Sequence, residues 1–177
     1  MKQRVVPTQR EIPFSSEELI VSKTDLKGRI TYANKTFMRM ADFSEEQLID
    51  VQHNIIRHPD MPRGAFFGLW QTLQQQREFF GFVKNMTANG DHYWVFADVR
   101  PDYQDGKVVG YFSVRRPITI TMRTTMEGIY RDMLTIEQQA GTANAPQASW
   151  QWLMQTLANR KTSYERFILD LYQQEAL

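Results

Sequence analysis

Hydrophobic and polar positions along the chain follow a strand-like pattern in five short stretches and a helical pattern elsewhere. The first two strand-like stretches are joined by Asp25-Leu26-Lys27-Gly28, which favours a tight turn because Gly28 tolerates positive φ. Asn89-Gly90 is a strong hairpin signal before the fourth stretch, and Asp105-Gly106 indicates a turn before the fifth. We therefore expect strands over 19–24, 29–33, 79–86, 91–99 and 107–115.

Between the second and third strands the pattern is that of helices. Asn34 is a suitable N-cap for a helix over 35–40, and Ser44 begins a second helix with the sequence of a capping box. A longer helix is predicted over 63–75, because its large apolar residues fall on one helical face. Two strands, several helices and three antiparallel strands in this order predict an α+β domain with one sheet and helices on one face.

The chain divides into three parts by pattern. Residues 1–17 are polar, contain two prolines and are expected to form an extended arm or a short capping helix. The α+β domain covers 18–117, and a helical extension covers 118–177, with a linker at about 141–148.

Two long helices are predicted in the extension, the first over 118–140 and the second from Ser149 to the C-terminus. Each has an apolar stripe that must be buried against another surface. The stripes could fold back on the open face of the chain's own sheet, or they could form an intermolecular interface. Methionines suit a surface that repacks between two states, so we favour an intermolecular interface, in a homodimer or on a receptor. The stripes consist of Met122, Met126, Tyr130 and Met133, and of Leu153, Leu157, Ile168 and Leu171.

Composition narrows the function. The formal net charge is +1, with 21 basic and 20 acidic residues, so nothing indicates a nucleic-acid interface or an anionic-membrane surface. No apolar run approaches the ~18 residues needed to span a bilayer. The chain has no Cys, which excludes disulfides, thiolate nucleophiles and cysteine-ligated metal sites. We expect a soluble, cytoplasmic protein.

The motifs of common enzymes are also missing. The sequence has no Gly-x-Ser-x-Gly, no Gly-x-Gly-x-x-Gly and no phosphate-binding loop, so we do not expect an enzyme. His53, His58 and Asp60 are suitable metal ligands by type. Their spacing matches no zinc signature and no fourth ligand is evident, so no metal site is predicted.

Two polar segments remain. His53-Asn54-Ile55-Ile56-Arg57-His58-Pro59-Asp60-Met61-Pro62 is poor helix material and costly to bury without partners. Arg57 and His58 could simply close this loop by ion pairing with Asp60. In the third strand, alternation places Asn85 on the same face as Val83 and Phe79. A strand amide among apolar neighbours usually makes a structural hydrogen bond, but it also suits the edge of a flat heteroaromatic ligand.

These segments resemble the PAS domain of the aerotaxis-receptor type. The similarity covers about 18–117, and more loosely the helix as far as Leu134. It implies a five-stranded antiparallel sheet of order 2-1-5-4-3. It also implies non-covalent binding of FAD and a response to redox state or to oxygen. The most specific motifs are Arg57-His58-Pro59-Asp60-Met61-Pro62, Lys84-Asn85 and Asn89-Gly90-Asp91-His92-Tyr93-Trp94-Val95.

The resemblance also implies a set of flavin-site residues. The isoalloxazine would lie between the sheet and the short helices, with Asn85 on its polar edge. Arg57 would hold the diphosphate or offset charge on the reduced ring. Phe79 stands where relatives commonly carry Trp, and it can still pack on a ring face. The matching positions are Asn34, Arg57, His58, Asp60 and Asn85, with His53, Phe66, Trp70 and Phe79 nearby.

The resulting hypothesis is a sensor that signals redox state or oxygen to a partner, as in aerotaxis or energy taxis, without turning over a substrate. Receptors of this type continue into a membrane anchor and a signalling coiled coil, whereas this chain ends at Leu177. We therefore expect a separate output protein, a homodimer, or both. Two alternatives stay open: a cofactor-free PAS interaction module, and a haem sensor with His53, His58 or His92 as the axial ligand.

Overall fold

The structure is a computed structural model, which describes residues 5–175. Two strands are followed by helices, three further strands and a helical extension. The strands are β1 (Ile20–Asp25), β2 (Ile30–Ala33), β3 (Phe79–Met86), β4 (His92–Gln104) and β5 (Lys107–Arg116). The helices are α1 (Lys35–Ala41), α2 (Glu45–Leu48), α3 (Arg63–Gln74), α4 (Ile120–Ala140), α5 (Ala145–Asn159) and α6 (Tyr164–Glu175), with a 3-10 turn at His53–Ile56.

The strands form a single antiparallel sheet of order β2-β1-β5-β4-β3, so the predicted fold and strand order are confirmed. β4 is longer than expected and continues through Pro101, where the sequence pattern indicated an end. The pairing of β4 with β3 stops at Val99, while its pairing with β5 continues past Pro101. Proline is tolerated there because this part of β4 has a neighbour on one side only.

The predicted starts of α1 and α2 are confirmed. Asn34 is the N-cap of α1, and its side chain accepts a hydrogen bond from the backbone N of Phe37. Ser44 and Gln47 form both hydrogen bonds of a capping box at α2. These two short helices close one end of a buried cluster on the inner face of the sheet, which includes Ile20, Ile30, Phe37, Leu48 and Val95.

The described part of the N-terminal arm is extended, and residues 1–4 lie outside the described chain. The backbone N of Ile12 donates to the carbonyl oxygen of His92 (2.7 Å), and the N of His92 donates to that of Arg10 (3.0 Å). The pairing of β4 with β5 ends at Phe96. The arm therefore satisfies backbone groups of β4 that β5 does not reach.

The single helix expected from Ser149 to the C-terminus is wrong, because α5 and α6 are separate helices. Lys161 has a φ of 57°, and the N of Thr162 donates to the carbonyl oxygen of Leu157 (3.1 Å), which ends α5. α5 begins at Ala145, with Pro146 in its first turn, where proline is compatible with a helix. The linker expected at about 141–148 is correspondingly shorter.

The apolar stripes of the extension pack on the chain's own sheet. Met122, Met126 and Met133 of α4 are buried in one cluster with Phe82 and Phe96 of the outer sheet face. The ring of Tyr172 in α6 stacks on Phe96, with 3.9 Å between the ring centroids. The fold-back arrangement is therefore the one found, and the preferred intermolecular use of these stripes is wrong. A homodimer stays a prediction without support from them.

Across residues 5–175, no helix combines the length and the apolar character needed to cross a membrane.

Candidate functional site

A cavity of about 240 Å³ lies between the inner face of the sheet and α3. Such a volume is close to the lower end of ordinary ligand pockets, which begin at ~300 Å³. Its sheet wall includes Ser22, Val83, Asn85, Val99, Ser113 and Arg115. Its helical wall consists of Phe66, Leu69, Trp70 and Leu73 from α3. The 3-10 turn and the residue after it close the cavity from a third side, with His53 and Arg57.

The structure brings together His53, Arg57, Phe66, Trp70 and Asn85, which all line this cavity. These five residues were predicted as neighbours in one site. The other four predicted residues do not line it. They are Asn34, His58, Asp60 and Phe79.

Asn34 is a structural residue. Its Oδ1 accepts hydrogen bonds from the backbone N of Phe37 (2.9 Å) and of Val21 (3.1 Å). Its Nδ2 donates to the carbonyl oxygen of Leu19 (2.9 Å). The amide joins α1 to β1, and this use of both its ends explains why it does not reach into the cavity.

His58 and Asp60 close the loop that precedes α3. The backbone N of Asp60 donates to Nδ1 of His58 (3.1 Å), and the Lys84 ammonium lies 2.7 Å from the Asp60 carboxylate. The pKa of His58 is lowered to about 4, mainly by burial and next by Lys84. The loop-closure alternative is thus partly correct, because Arg57 is not a member of this group. Arg57 lies over the ring of Phe66, with 4.4 Å between the guanidinium carbon and the ring centroid.

Phe79 packs outside the cavity. Its ring stacks on that of Tyr164 in α6, with centroids 5.5 Å apart. Its side of β3 is therefore covered by the extension.

Arg115 was missed by the sequence analysis and is the most unusual residue of the cavity. Its side chain is buried, with a relative exposure of 2%. Its Nη1 lies 3.3 Å from Nε2 of His53, and its Nη2 donates to Oγ of Ser22. Its Nε has no hydrogen-bond partner among the described residues. Burial lowers the pKa of Arg115 to about 10, so it is a cation at neutral pH.

The neighbours of Arg115 fix the protonation of His53. Nη1 of Arg115 can only donate, so Nε2 of His53 is the acceptor of that contact, and Oγ of Ser22 lies 3.1 Å from the same nitrogen. The pKa of His53 is lowered to about 3 by burial and then by Arg115. His53 is therefore neutral at physiological pH, and its second nitrogen carries the proton.

Two polar residues of the cavity wall, Asn85 and Arg115, act on the buried Tyr93. Burial raises the pKa of Tyr93, while Arg115 and the side chain of Asn85 act in the opposite direction. The amide and the guanidinium therefore both act on Tyr93, and both belong to residues that line the cavity. None of the described residues that line it is Asp or Glu. The inner end is cationic and offers both a hydrogen-bond donor and an acceptor.

The outer end of the cavity is aromatic. Trp70 is 37% exposed and meets Tyr111 edge to face, with ring centroids 5.5 Å apart. Tyr111 and Arg115 point to the same face of β5 and are four residues apart, which corresponds to ~13 Å along a strand. The lining of the cavity thus extends over ~13 Å along β5.

The histidines and acids do not assemble into a metal site. Among residues 5–175, no group of three His, Asp or Glu side chains could hold a metal ion. His53 lies in the cavity, whereas His58 and His92 lie outside it, with ring centroids 5.9 Å apart. An axial haem ligand would have to be His53, whose Nε2 faces Ser22 and Arg115.

Residues 30–115 match the protein family described as PAS fold. The chain is 40% identical to the aerotaxis receptor of Escherichia coli strain K12 over 124 residues, which are 70% of this chain and 24% of the receptor. It is 30% identical to a nitrogen fixation regulatory protein of Klebsiella pneumoniae over 129 residues, 72% of this chain and 26% of that protein. The chain therefore spans about a quarter of the length of these relatives.

The solved structures that resemble the chain include the light state of the blue-light photoreceptor Aureochrome1 LOV domain. The TM-score is 0.55 at 15% identity, and the match covers 63% of this chain and 88% of that one. At this identity the likeness concerns the fold.

Proposed function

The chain belongs to the PAS family, with a PAS domain similar to that of the aerotaxis receptor, and we propose on this premise that it is a flavin-binding sensor. FAD would bind non-covalently in the cavity between the sheet and α3. The chain would signal redox state or oxygen to a partner protein by a change of conformation. Its relatives are sensory and signalling proteins, which supports a role in signal transduction such as aerotaxis.

The observation that carries this proposal is the buried cation at the inner end of the cavity. Arg115 has no carboxylate beside it in the cavity, and one of its N–H groups has no partner among the described residues. A buried charge of this kind is costly unless a complementary group meets it. The pyrimidine edge of an isoalloxazine carries carbonyl oxygens that accept hydrogen bonds, and it becomes richer in electrons on reduction. Arg115 and Asn85 together suit that edge.

The other residues that line the cavity would exclude water, contact the outer part of the ligand and supply a second positive charge. Phe66, Leu69 and Val83 would exclude water from the ring, which strengthens the polar contacts at its edge. Trp70 and Tyr111 stand at the outer end, where the rest of a dinucleotide would leave the cavity. Arg57 is a second cation in the wall and would hold the diphosphate or offset charge on the ring.

When bound, FAD supplies reversible electron transfer, and the chain's own residues would convert its charge into a conformational change. If negative charge increased on the ligand at the inner end, the guanidinium of Arg115 would move towards it and change its contacts with Ser22 and His53. The hydroxyl of Ser22 can donate or accept, so this group has two hydrogen-bond arrangements. A signal follows if oxidised and reduced ligand favour different arrangements.

We place the sensor in the cytoplasm, with a signalling receptor or another output protein as its partner. A homodimer is a further prediction.

The first experiment is the absorption spectrum of the purified protein, with identification of any ligand released by acid. A two-band flavin spectrum and released FAD are expected. A Soret band would instead indicate haem. A colourless protein that does not bind added FAD in a fluorescence titration would favour the cofactor-free module.

A further inference from the structure

The N-terminus of α3 is held by a carboxylate from a distant part of the chain. α3 begins after Pro62, which provides no side-chain cap. Oε2 of Glu137 in α4 accepts a hydrogen bond from the backbone N of Arg63 (3.1 Å), and Oε1 accepts one from the backbone N of Gly64 (2.8 Å). A carboxylate in this position also interacts favourably with the helix dipole. Glu137 is buried, and through these two hydrogen bonds it acts as the cap of α3.

The same carboxylate binds the next helix of the extension. Oγ of Ser149 in α5 donates to Oε1 of Glu137 (2.7 Å). The guanidinium of Arg63 donates to the carbonyl oxygen of Thr142 (2.8 Å), in the loop between α4 and α5. One buried side chain thus connects α3, α4 and α5.

α5 lies against α3 too closely for a side chain to stand between them. A Cβ at Gly64 would collide with Oγ of Ser149, and a Cβ at Gly68 would collide with the ring of Trp150. α5 therefore packs directly on the surface of α3 that carries the two glycines. The contact is specific, because two glycines one turn apart are needed for it.

The opposite face of α3 is a wall of the proposed flavin pocket. It supplies Phe66, Leu69, Trp70 and Leu73 to the cavity. The charge of Glu137 also acts on a residue of the pocket. Burial lowers the pKa of the cavity residue Arg57, and the Glu137 carboxylate opposes that shift. The extension and the ligand therefore act on the same helix from its two sides.

We propose that Glu137 is a positioning residue for the pocket, which couples the docking of the extension on α3 to occupancy of the cavity. The proposal rests on the proposed flavin function for the identity of the ligand. We call the hydrogen bonds of Glu137 to the first turn of α3 and to Ser149 the clamp. When the clamp is formed, α3 is held at the position in which its apolar side chains line the cavity. Coupling of this kind is reciprocal, so a ligand that fixes α3 also tightens the contact between α3 and α5.

The test uses the full chain and the variant Glu137→Gln, which keeps one acceptor oxygen but places an NH2 group beside the two backbone donors. We expect its FAD affinity to fall about tenfold, within the ~5- to 150-fold range of typical coupling. Hydrogen exchange gives the reciprocal readout. FAD should slow the exchange of α5 amides in the unmodified chain, and this effect should shrink in Glu137→Gln.

Ser44→Ala is the matched control, because it removes the N-cap of α2, a helix that does not line the cavity. It should lower stability while FAD affinity and the effect of FAD on α5 remain unchanged. Ser149→Ala provides a milder break of the clamp. It leaves both backbone hydrogen bonds to Glu137 in place, so it should fold and lose less affinity than Glu137→Gln.

The coupling would be overturned if all three variants bound FAD as tightly as the unmodified chain, or if FAD did not change the hydrogen exchange of α5. Either result would leave the flavin function intact. A chain that binds no FAD would overturn the flavin function. In that case faster exchange of the first α3 amides in ligand-free Glu137→Gln would still support the clamp, and unchanged exchange would overturn it.

Discussion

The segment 53–62 contributes residues to two polar clusters, which differ in their charge balance and in whether they face the cavity. The open cluster consists of Ser22, His53 and Arg115 and faces the cavity. The closed cluster consists of His58, Asp60 and Lys84 and lies outside it. The closed cluster contains a carboxylate for its ammonium, with 2.7 Å between them. The open cluster has a buried cation without one. Charge balance, more than polarity, therefore distinguishes the proposed ligand site from the structural group.

The largest expected effect tests the open cluster. Arg115→Met keeps an unbranched side chain but removes the charge, and we expect FAD binding to weaken by at least ~2 kcal/mol, about 30-fold. The stability of the ligand-free protein should change by less than ~1 kcal/mol or increase, because replacing an unpaired buried charge with an apolar group is often favourable. Fluorescence titration and thermal unfolding measure the two quantities.

Arg100→Met is the matched control for that change. Arg100 lies on the neighbouring strand β4, pairs with Asp98 and Glu78, and does not line the cavity. Its replacement should leave FAD affinity unchanged. If Arg115→Met bound FAD as tightly as Arg100→Met, Arg115 would not contact the ligand.

The second prediction concerns the closed cluster. His58→Ala leaves the backbone N of Asp60 without its acceptor and opens a cavity, so the ligand-free protein should lose about 2 kcal/mol of unfolding free energy. Any loss of flavin should follow from this instability. His53→Ala provides the comparison within the open cluster, and it should reduce affinity more than stability. Denaturant unfolding without ligand distinguishes the two. The opposite order would exchange the roles of the two histidines.

The third prediction is a pH dependence of stability. The pKa of His58 is lowered from 6.5 to about 4 by burial, by Lys84 and by His92, against the opposing charge of Asp60. Between these values the unfolded chain binds a proton that the folded chain does not, so stability should fall as the pH drops below 6.5. His58→Gln should reduce this slope without abolishing it, because the pKa of His53 is also lowered, to about 3. Unfolding free energies are measured between pH 7 and pH 4 for both proteins. If they changed with pH by the same amount in His58→Gln and in the unmodified chain, the pKa of His58 would not be lowered by folding.

The sequence predicted the strands and the caps at Asn34 and Ser44, because turn and cap residues act locally. The order of the strands came from the family resemblance. Pro101 and the break at Lys161 were missed, since both depend on which neighbours are present. Arg115 could have been found: Tyr111, Ser113 and Arg115 alternate onto one face of β5, which lies between β1 and β4. A charged residue on that face of a central strand, without an acid opposite, is the signal that was overlooked.

The resemblance gave residues of the correct loop but could not divide them between its two sides. His53 and Arg57 reach the cavity, while His58 and Asp60, only a few positions further on, face away from it. The division depends on Lys84, whose ammonium holds Asp60 on the other side of β3. Long-range partners of this kind leave no local pattern in the segment itself.

The stacking of Phe79 on Tyr164 has a consequence for how this sequence can change in evolution. The two rings belong to β3 and to α6, so a single aromatic contact depends on both the sheet and the extension. Tyr164 also contacts the ring of Trp150 edge to face, with centroids 4.9 Å apart, so the three rings form one aromatic group. Phe79 and Tyr164 should therefore vary together among descendants of this chain. Lineages that lose α6 are expected to restore the bulk with an indole at position 79.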